Sequence, residues 1–95
     1  MAIQSFKCKT TADLFHTGKS VKFAAISKPA MMRLGFLEAA VVLSDLKLPP
    51  SNNLHPMVKE KQRLGQHAIS INDKYRICFK WGVNGPEDVE IVDYH

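Results

Sequence analysis

A pair of adjacent prolines, Pro49 and Pro50, divides this chain into two parts with different hydrophobic periodicity. Two consecutive prolines cannot continue a helix, and the polar residues 51–53 that follow favour a turn. Before the prolines the apolar residues recur at helical spacing, whereas after them apolar and polar residues alternate, as they do in strands. Helices followed by short consecutive strands predict an α+β domain.

Two helices are predicted ahead of the prolines. Thr10 and Asp13 have the spacing of a capping box at the start of the first helix, and Gly18 would end it as a left-handed C-cap. Ser27 is the predicted N-cap of a longer, broadly apolar second helix over residues 30–46. A helix with so much apolar surface has to be covered, which in a small domain means packing on a sheet and under another helix.

The remaining segments predict strands. Residues 3–6 form a short alternating N-terminal segment, and residues 68–71, 75–81 and 88–94 alternate between short turns, so these three should be antiparallel neighbours. The predicted architecture is an N-terminal strand and two helices packed on a sheet of three or four antiparallel strands. With 95 residues and 45% hydrophobic composition, residues 1–95 are expected to form one domain.

Length and composition exclude several classes of protein. A chain of 95 residues has no room for a Rossmann enzyme or a P-loop NTPase. No apolar run approaches the ~18 residues that a membrane span needs and no signal peptide is recognisable, so a cytoplasmic protein without membrane contact is expected. Cys8 and Cys78 are expected to be reduced packing thiols. The histidines and cysteines lack metal-ligand spacing, so neither a metal nor a cofactor is predicted.

The net charge of the chain is +4, and it is unevenly distributed. Residues 55–80 hold six Lys or Arg and two Asp or Glu, whereas residues 81–95 hold four acidic residues and no Lys or Arg. A cationic surface suggests a polyanionic partner, although a solvated face explains this composition equally well. On the middle predicted strand, Arg76, Cys78 and Lys80 share the face opposite to the apolar side chains.

Imidazole, guanidinium and ammonium groups are the set that metal-free cleavage of RNA requires. A base takes the 2′-hydroxyl proton, an acid protonates the departing 5′-oxygen, and fixed positive charge stabilises the phosphate in the transition state. Arg76, Lys80 and three cations in residues 59–63 can supply the charge. The histidines on or beside the predicted sheet are His55, His67 and His95. The residues alone leave open that Arg76 is a structural ion-pair partner of Glu90 or Asp93 and that residues 59–63 are a solvated loop.

Three sequence motifs carry a family resemblance. They are Gly-Gln-His-Ala-Ile at residues 65–69, Asn-Asp-Lys-Tyr-Arg-Ile-Cys-Phe-Lys-Trp at 72–81 and Val-Glu-Ile-Val-Asp-Tyr-His at 89–95. With Leu-His-Pro at 54–56 and the preceding helical segments, they resemble the HigB branch of the RelE/ParE toxin superfamily over essentially the whole chain. The resemblance implies a microbial-RNase-like fold and a ribosome-dependent endoribonuclease that cuts mRNA in the A site. It also implies a helix-turn-helix antitoxin of the HigA type, with DNA contacted only through the antitoxin complex.

The resemblance also assigns roles to individual residues. The family's catalytic arginine corresponds to Arg76 and its catalytic histidine to His95, which would act as general acid or base. Asp93 and Tyr94 correspond to its supporting acidic and aromatic residues, and Tyr94 can stack on a base. The residues expected to contact RNA or the ribosome are His55, Lys59, Lys61, Arg63 and Lys80.

One segment departs from the family pattern, and two other functions stay open. Residues 57–63 stand where many relatives have Leu-Lys-Gly, so the family's loop lysine corresponds to either Lys59 or Lys61, and weak or altered toxicity is an open alternative. The rival functions are a ParE-like inhibitor of DNA gyrase that cleaves nothing, and an inactive homologue that acts only with its antitoxin. Arg76, Asp93 and His95 favour the nuclease, because a pure gyrase binder has no need of them.

Overall fold

Two α-helices precede a four-stranded antiparallel sheet with the strand order β1-β2-β3-β4. The structure, a computed structural model, describes residues 3–93, so the roles predicted for Tyr94 and His95 lie outside the described residues. The elements are α1 Lys9–Thr17, α2 Ser27–Ala39, β1 His55–Pro56, β2 Gln66–Ser70, β3 Tyr75–Gly82 and β4 Gly85–Asp93. The predicted α+β fold class is confirmed.

Both helices begin earlier than predicted. Helix α1 starts at Lys9 with Cys8 as the N-cap, so Thr10 lies inside the helix and the capping-box prediction is wrong. Ser27 is the first residue of α2 and Ile26 is its N-cap, because a 3-10 turn over Ala24–Ile26 leads directly into the helix. That turn supplies backbone hydrogen bonds where the sequence analysis expected a serine side chain.

The end of α1 and its contact with the sheet follow from two residues. Gly18 adopts the predicted left-handed conformation, with φ of 75°, and its N–H donates to the carbonyl of Leu14 at 2.7 Å. Thr11 is fully buried, and its hydroxyl oxygen accepts from the backbone N–H of Ile91 at 3.1 Å. This hydrogen bond ties α1 to β4, the last strand of the sheet.

Helix α2 ends at Ala39, seven residues short of the predicted end at Leu46. Ala40 turns to an extended conformation with ψ of 135°. The Asp45 carboxylate then accepts from the N–H groups of residues 41 and 42, at 2.9 and 3.2 Å. The apolar periodicity continues through a separate 3-10 turn, Leu43–Lys47, and for that reason the sequence suggested one long helix.

The sheet is packed on both faces. The main core lies between the helices and the sheet, and its buried members include Leu14, Leu34, Leu37, Ile69, Ile77, Phe79, Val89 and Ile91. The opposite face, which we call the distal face, carries a second cluster of Met57, Ala68 and Cys78, with Val92 packed against it. The predicted alternation of β3 is therefore correct, because Ile77 and Phe79 enter the main core while Cys78 enters the distal cluster.

The predicted N-terminal strand is reduced to one parallel bridge, between Phe6 and Val89. Backbone hydrogen bonds from Gln4 N to Pro86 O, at 2.8 Å, and from Lys7 N to Val89 O, at 3.0 Å, hold the segment beside β4. These bonds use backbone groups that would otherwise be open at this edge of the sheet.

Asn52 connects α2 to the segment that enters the sheet. Its side chain is fully buried, and its Nδ2 donates to the carbonyls of Leu46 at 3.1 Å and Leu48 at 3.2 Å. Its Oδ1 accepts a hydrogen bond from Arg33 Nη1, and the Arg33 side chain is itself buried. One amide thus satisfies three partners and fixes the approach to β1.

Replacing Asn52 with alanine should lower the free energy of unfolding by about 2–4 kcal/mol, because two carbonyls and a buried guanidinium lose their partner. Urea denaturation measures this change. The matched control is Ser51→Ala, whose contacts with Arg33 are long, at 3.4 Å, and which should cost about 0.5 kcal/mol or less. Equal losses for the two variants would show that Asn52 does not organise this junction.

Candidate active site

Arg76 projects from the distal face of the sheet. Its neighbours across the ladder are Ser70 on β2 and Val92 on β4, and directly opposite residues of antiparallel strands share a face. The Arg76 side chain is only 13% exposed, so its guanidinium is held at the sheet and does not move freely in solvent. A cation on a central strand is therefore placed at a fixed position.

Residues 57–64, which we call the distal loop, lie over this face. Near one end, Met57 is buried in the distal cluster and its N–H donates to the carbonyl of Gln66 at 2.8 Å. Near the other end, Arg63 Nη1 donates to Glu90 Oε1 at 3.1 Å and to Gln66 Oε1 at 3.4 Å. The distal loop is thus attached to the sheet at two separate points.

Glu60 stands between these two attachments and bridges two arginines. Its Oε1 accepts from Arg76 Nη2 at 2.5 Å, and its Oε2 accepts from Arg63 Nε at 3.1 Å. The hydrogen bond from Arg76 is the main cause that lowers the pKa of the Glu60 carboxyl below its ordinary value, with partial burial acting in the opposite direction. The carboxylate is therefore ionised at neutral pH.

A cleft of about 320 Å³ opens beside the Glu60–Arg76 pair. Its walls are formed by His55, Pro56, Met57, Val58, Lys59, Glu60 and Arg76. His55 Nδ1 lies 2.7 Å from the carbonyl oxygen of Asn53, so Nδ1 carries the proton that it donates and Nε2 of the neutral ring is the proton acceptor. The cleft therefore combines the enclosed cation of Arg76, the exposed cation of Lys59, the Glu60 carboxylate and the His55 imidazole.

The structure brings together three of the predicted site residues, Arg76, His55 and Lys59, in this cleft. Lys61 and Lys80 are exposed and do not line it. Arg63, expected to contact RNA, instead has a side chain only 15% exposed, with its charge directed to Glu60 and Glu90. Arg63 therefore fastens the distal loop to the sheet, and its contact with RNA stays a prediction.

Asp93 lies on the other side of the β3–β4 ladder from Arg76. Asp93 is opposite Tyr75, one position before Arg76, so the two side chains leave opposite faces of the sheet. Lys74 Nζ lies 3.9 Å from the Asp93 carboxylate. His67 also faces the main core, where its ring stacks on Phe79 at 6.3 Å between centroids.

Glu60 is the site residue that the sequence analysis missed. Its contact with Arg76 joins a loop to a strand across 16 positions of sequence. Hydrophobic periodicity does not predict contacts of this kind. The one local signal is the spacing of three between Glu60 and Arg63, which form an ion pair across the 3-10 turn Lys61–Arg63. That spacing does not indicate the second contact, between Glu60 and Arg76.

A family model described as a RelE-like toxin of the type II toxin-antitoxin system HigB matches residues 4–95. The chain belongs to the HigB-like toxin family. Toxin HigB-1 of Vibrio cholerae serotype O1 (strain ATCC 39315 / El Tor Inaba N16961) is 30% identical over 83 residues, which cover 85% of this chain and 84% of that relative. The chain is accordingly a toxin of a type II toxin-antitoxin system, and toxins of this family pair with an antitoxin.

Residues 3–93 of the toxin show neither a metal-binding cluster nor a membrane-spanning helix. In that part of the chain, no group of three or more His, Cys, Asp or Glu side chains is arranged to hold a metal ion. None of the helices in the same range has the length and apolar character to cross a membrane.

The two thiols of the toxin have opposite environments. Burial raises the pKa of the Cys78 thiol, although the charges of Arg63 and Arg76 act in the other direction. Burial also acts to raise the pKa of the Cys8 thiol, but the hydrogen bonds of Thr11 and Thr10 together outweigh it and lower that pKa. Both cysteines are free, as expected, but only Cys78 is fully enclosed.

Iodoacetamide at pH 7.5 should therefore modify Cys8 at least about tenfold faster than Cys78, because thiolate fraction and access both favour Cys8. Mass spectrometry of digests over a time course measures both rates in one sample. The variants Cys8→Ser and Cys78→Ser serve as matched controls, and only the first should remove the fast phase. Comparable rates at the two thiols would contradict the enclosed distal cluster.

Proposed function

We propose that this toxin is a metal-independent endoribonuclease that cleaves mRNA in the ribosomal A site and so inhibits translation. The observation that supports the proposal is the convergence of Arg76, His55 and Lys59 in one open cleft on a rigid sheet. Residues 3–93 supply a fixed positive charge and a proton acceptor there, and both are needed for phosphodiester cleavage. The HigA-like antitoxin, the ribosome and mRNA are the proposed partners.

The chemistry divides among three groups. The His55 Nε2 atom takes the proton of the 2′-hydroxyl, and the 2′-oxygen forms a bond to phosphorus while the bond to the 5′-oxygen breaks. The guanidinium of Arg76 stabilises the negative charge that builds up on the phosphoryl oxygens. We assign the protonation of the departing 5′-oxygen to His95 as imidazolium, which leaves a 2′,3′-cyclic phosphate and a 5′-hydroxyl.

The other predicted residues take supporting roles in the proposal. Lys59 lines the cleft and Lys61 is exposed beside it, so both are placed to contact RNA phosphates, and Lys80 would contact the backbone further along the same face. Tyr94 would stack on a base. The family resemblance assigns Asp93 as the acidic residue that supports His95.

Programmed ribosomes with a defined A-site codon provide the direct test. Incubation with the purified toxin, followed by mapping of mRNA ends, should give cuts within the A-site codon and 2′,3′-cyclic phosphate termini. Intact mRNA together with inhibited supercoiling would select the gyrase inhibitor. Intact mRNA without an effect on gyrase would select the inactive homologue.

Arg76→Ala should lower the rate of A-site cleavage on the order of 10²- to 10³-fold, because a preorganised charge at the developing anion is lost. Arg76→Lys should restore part of the rate, since it keeps the charge but not the planar fork. Single-turnover cleavage assays measure both effects. Lys28→Ala, at an exposed position of α2, is the control and should cleave as the unmodified toxin does. A folded Arg76→Ala toxin with full activity would remove Arg76 from the mechanism.

The double variant Lys59→Ala/Lys61→Ala should weaken ribosome binding and reduce the slope of log affinity against log salt by about two units, one for each lost phosphate contact. Fluorescence anisotropy across a salt series gives the slope. The matched control is Lys9→Ala/Lys28→Ala, which removes two exposed cations from the helices. An unchanged slope for the loop variant, or an equal change for the control, would place the binding surface elsewhere.

A further inference from the structure

The distal loop places the Glu60 carboxylate on Arg76, the cation that has to bind the RNA phosphate in the proposed reaction. We propose that Glu60 is an internal competitor for the phosphate site, so that its carboxylate occupies Arg76 in the free toxin and an RNA phosphate replaces it on binding. This inference rests on the proposed function. It assigns Glu60 the role of a specificity-determining residue that decides which polyanions gain access to Arg76.

The geometry of the pair supports an exchange of ligands. Carboxylate and phosphate present similar oxygen pairs to a guanidinium, so the two groups compete for the same donors. The Glu60 side chain is 38% exposed whereas that of Arg76 is 13% exposed, so the carboxylate is the more solvent-accessible partner and lines the cleft. An anion that enters the cleft therefore finds the Arg76 guanidinium, the donor that the anion needs, already bound to Glu60.

The exchange does not require the distal loop to open. Met57 is buried in the distal cluster and Arg63 pairs with Glu90, and neither contact involves the Glu60 carboxylate. Turning the Glu60 side chain toward solvent would break its hydrogen bonds with Arg76 and Arg63 Nε but would leave these two attachments in place. Release of Arg76 is a change of side-chain conformation, which a phosphate can drive directly.

The competition favours substrates that present several phosphates in fixed positions. A single phosphate has to displace the Glu60 carboxylate, and it makes no further contacts that would offset the loss of the Glu60–Arg76 ion pair. An RNA backbone that also contacts Lys59 and Lys61, the exposed residues on either side of Glu60, gains additional ion pairs in the same event. The structure thus favours an RNA segment held in place over a free nucleotide.

A rival role for Glu60 is that of the general base for the 2′-hydroxyl. An efficient base at neutral pH has a pKa near 7, whereas hydrogen bonding from Arg76 lowers the pKa of Glu60 from an already acidic value. The two roles also predict different effects of removing the Glu60 charge. Loss of a general base slows cleavage, whereas loss of a competitor raises the affinity of the Arg76 site for anions.

Titration of the intact toxin with inorganic phosphate, followed by the side-chain NMR signal of Arg76, tests the competition without any cleavage step. Glu60→Gln should lower the apparent dissociation constant for phosphate at least about tenfold, because the amide keeps the shape but not the charge. Glu60→Ala should do the same. The control Asp13→Asn removes the charge of a carboxylate that is likewise ion-paired, with Lys9, but lies on α1, and it should leave the constant unchanged.

Unchanged, weaker or undetectable phosphate binding by a folded Glu60→Gln toxin would overturn the inference. An equal gain in Asp13→Asn would overturn it as well, since the effect would then come from net charge. Cleavage by the unmodified toxin on programmed ribosomes separates this result from the proposed function. If Glu60→Gln binds phosphate more tightly but the unmodified toxin does not cleave mRNA, Glu60 is the competitor and the nuclease proposal is refuted. If the unmodified toxin cleaves mRNA but Glu60→Gln does not bind phosphate more tightly, only the competitor role is refuted.

Discussion

Strand β3 is packed on both faces, and the site depends on this constraint. Ile77 and Phe79 are fully buried in the main core, while Cys78 between them is fully buried in the distal cluster. Close packing on both sides leaves the strand little freedom to slide or tilt. Arg76, one position before this sandwiched stretch, is therefore presented from a rigid backbone, as its proposed role at a developing negative charge requires.

In the distal loop and at Arg76, much of the positive charge is paired with carboxylates. Of its three cations, Arg63 is bound to Glu60 and Glu90, which leaves Lys59 and Lys61 facing solvent. The same Glu60 also neutralises Arg76. The net charge of the sequence thus overstates the positive potential at the cleft. The positions of the Glu60 and Glu90 carboxylates decide which cations are left to face a polyanion.

Sequence patterns predicted β2 and β3 well because their signal is local, and alternation over residues 75–81 correctly indicated burial on two faces. The other strands were predicted less well, since β4 begins at Gly85 inside the predicted turn, β1 was not predicted, and the N-terminal strand is only a bridge. Helix ends were predicted less well, because the Asp45 carboxylate starts a separate turn where apolar periodicity continued. The Glu60–Arg76 pair was out of reach, since an ion pair between a loop and a strand 16 positions away depends on the fold alone.

In the proposed mechanism, Arg76 exchanges the Glu60 carboxylate for an RNA phosphate. A cryo-EM structure of the toxin on a ribosome programmed with a 2′-O-methylated A-site codon would show this exchange. We expect the Arg76 guanidinium at about 3 Å from oxygens of the scissile phosphate, with Glu60 turned away and Met57 still buried against the sheet. A toxin bound with the Glu60–Arg76 pair intact and the mRNA backbone remote from Arg76 would contradict it.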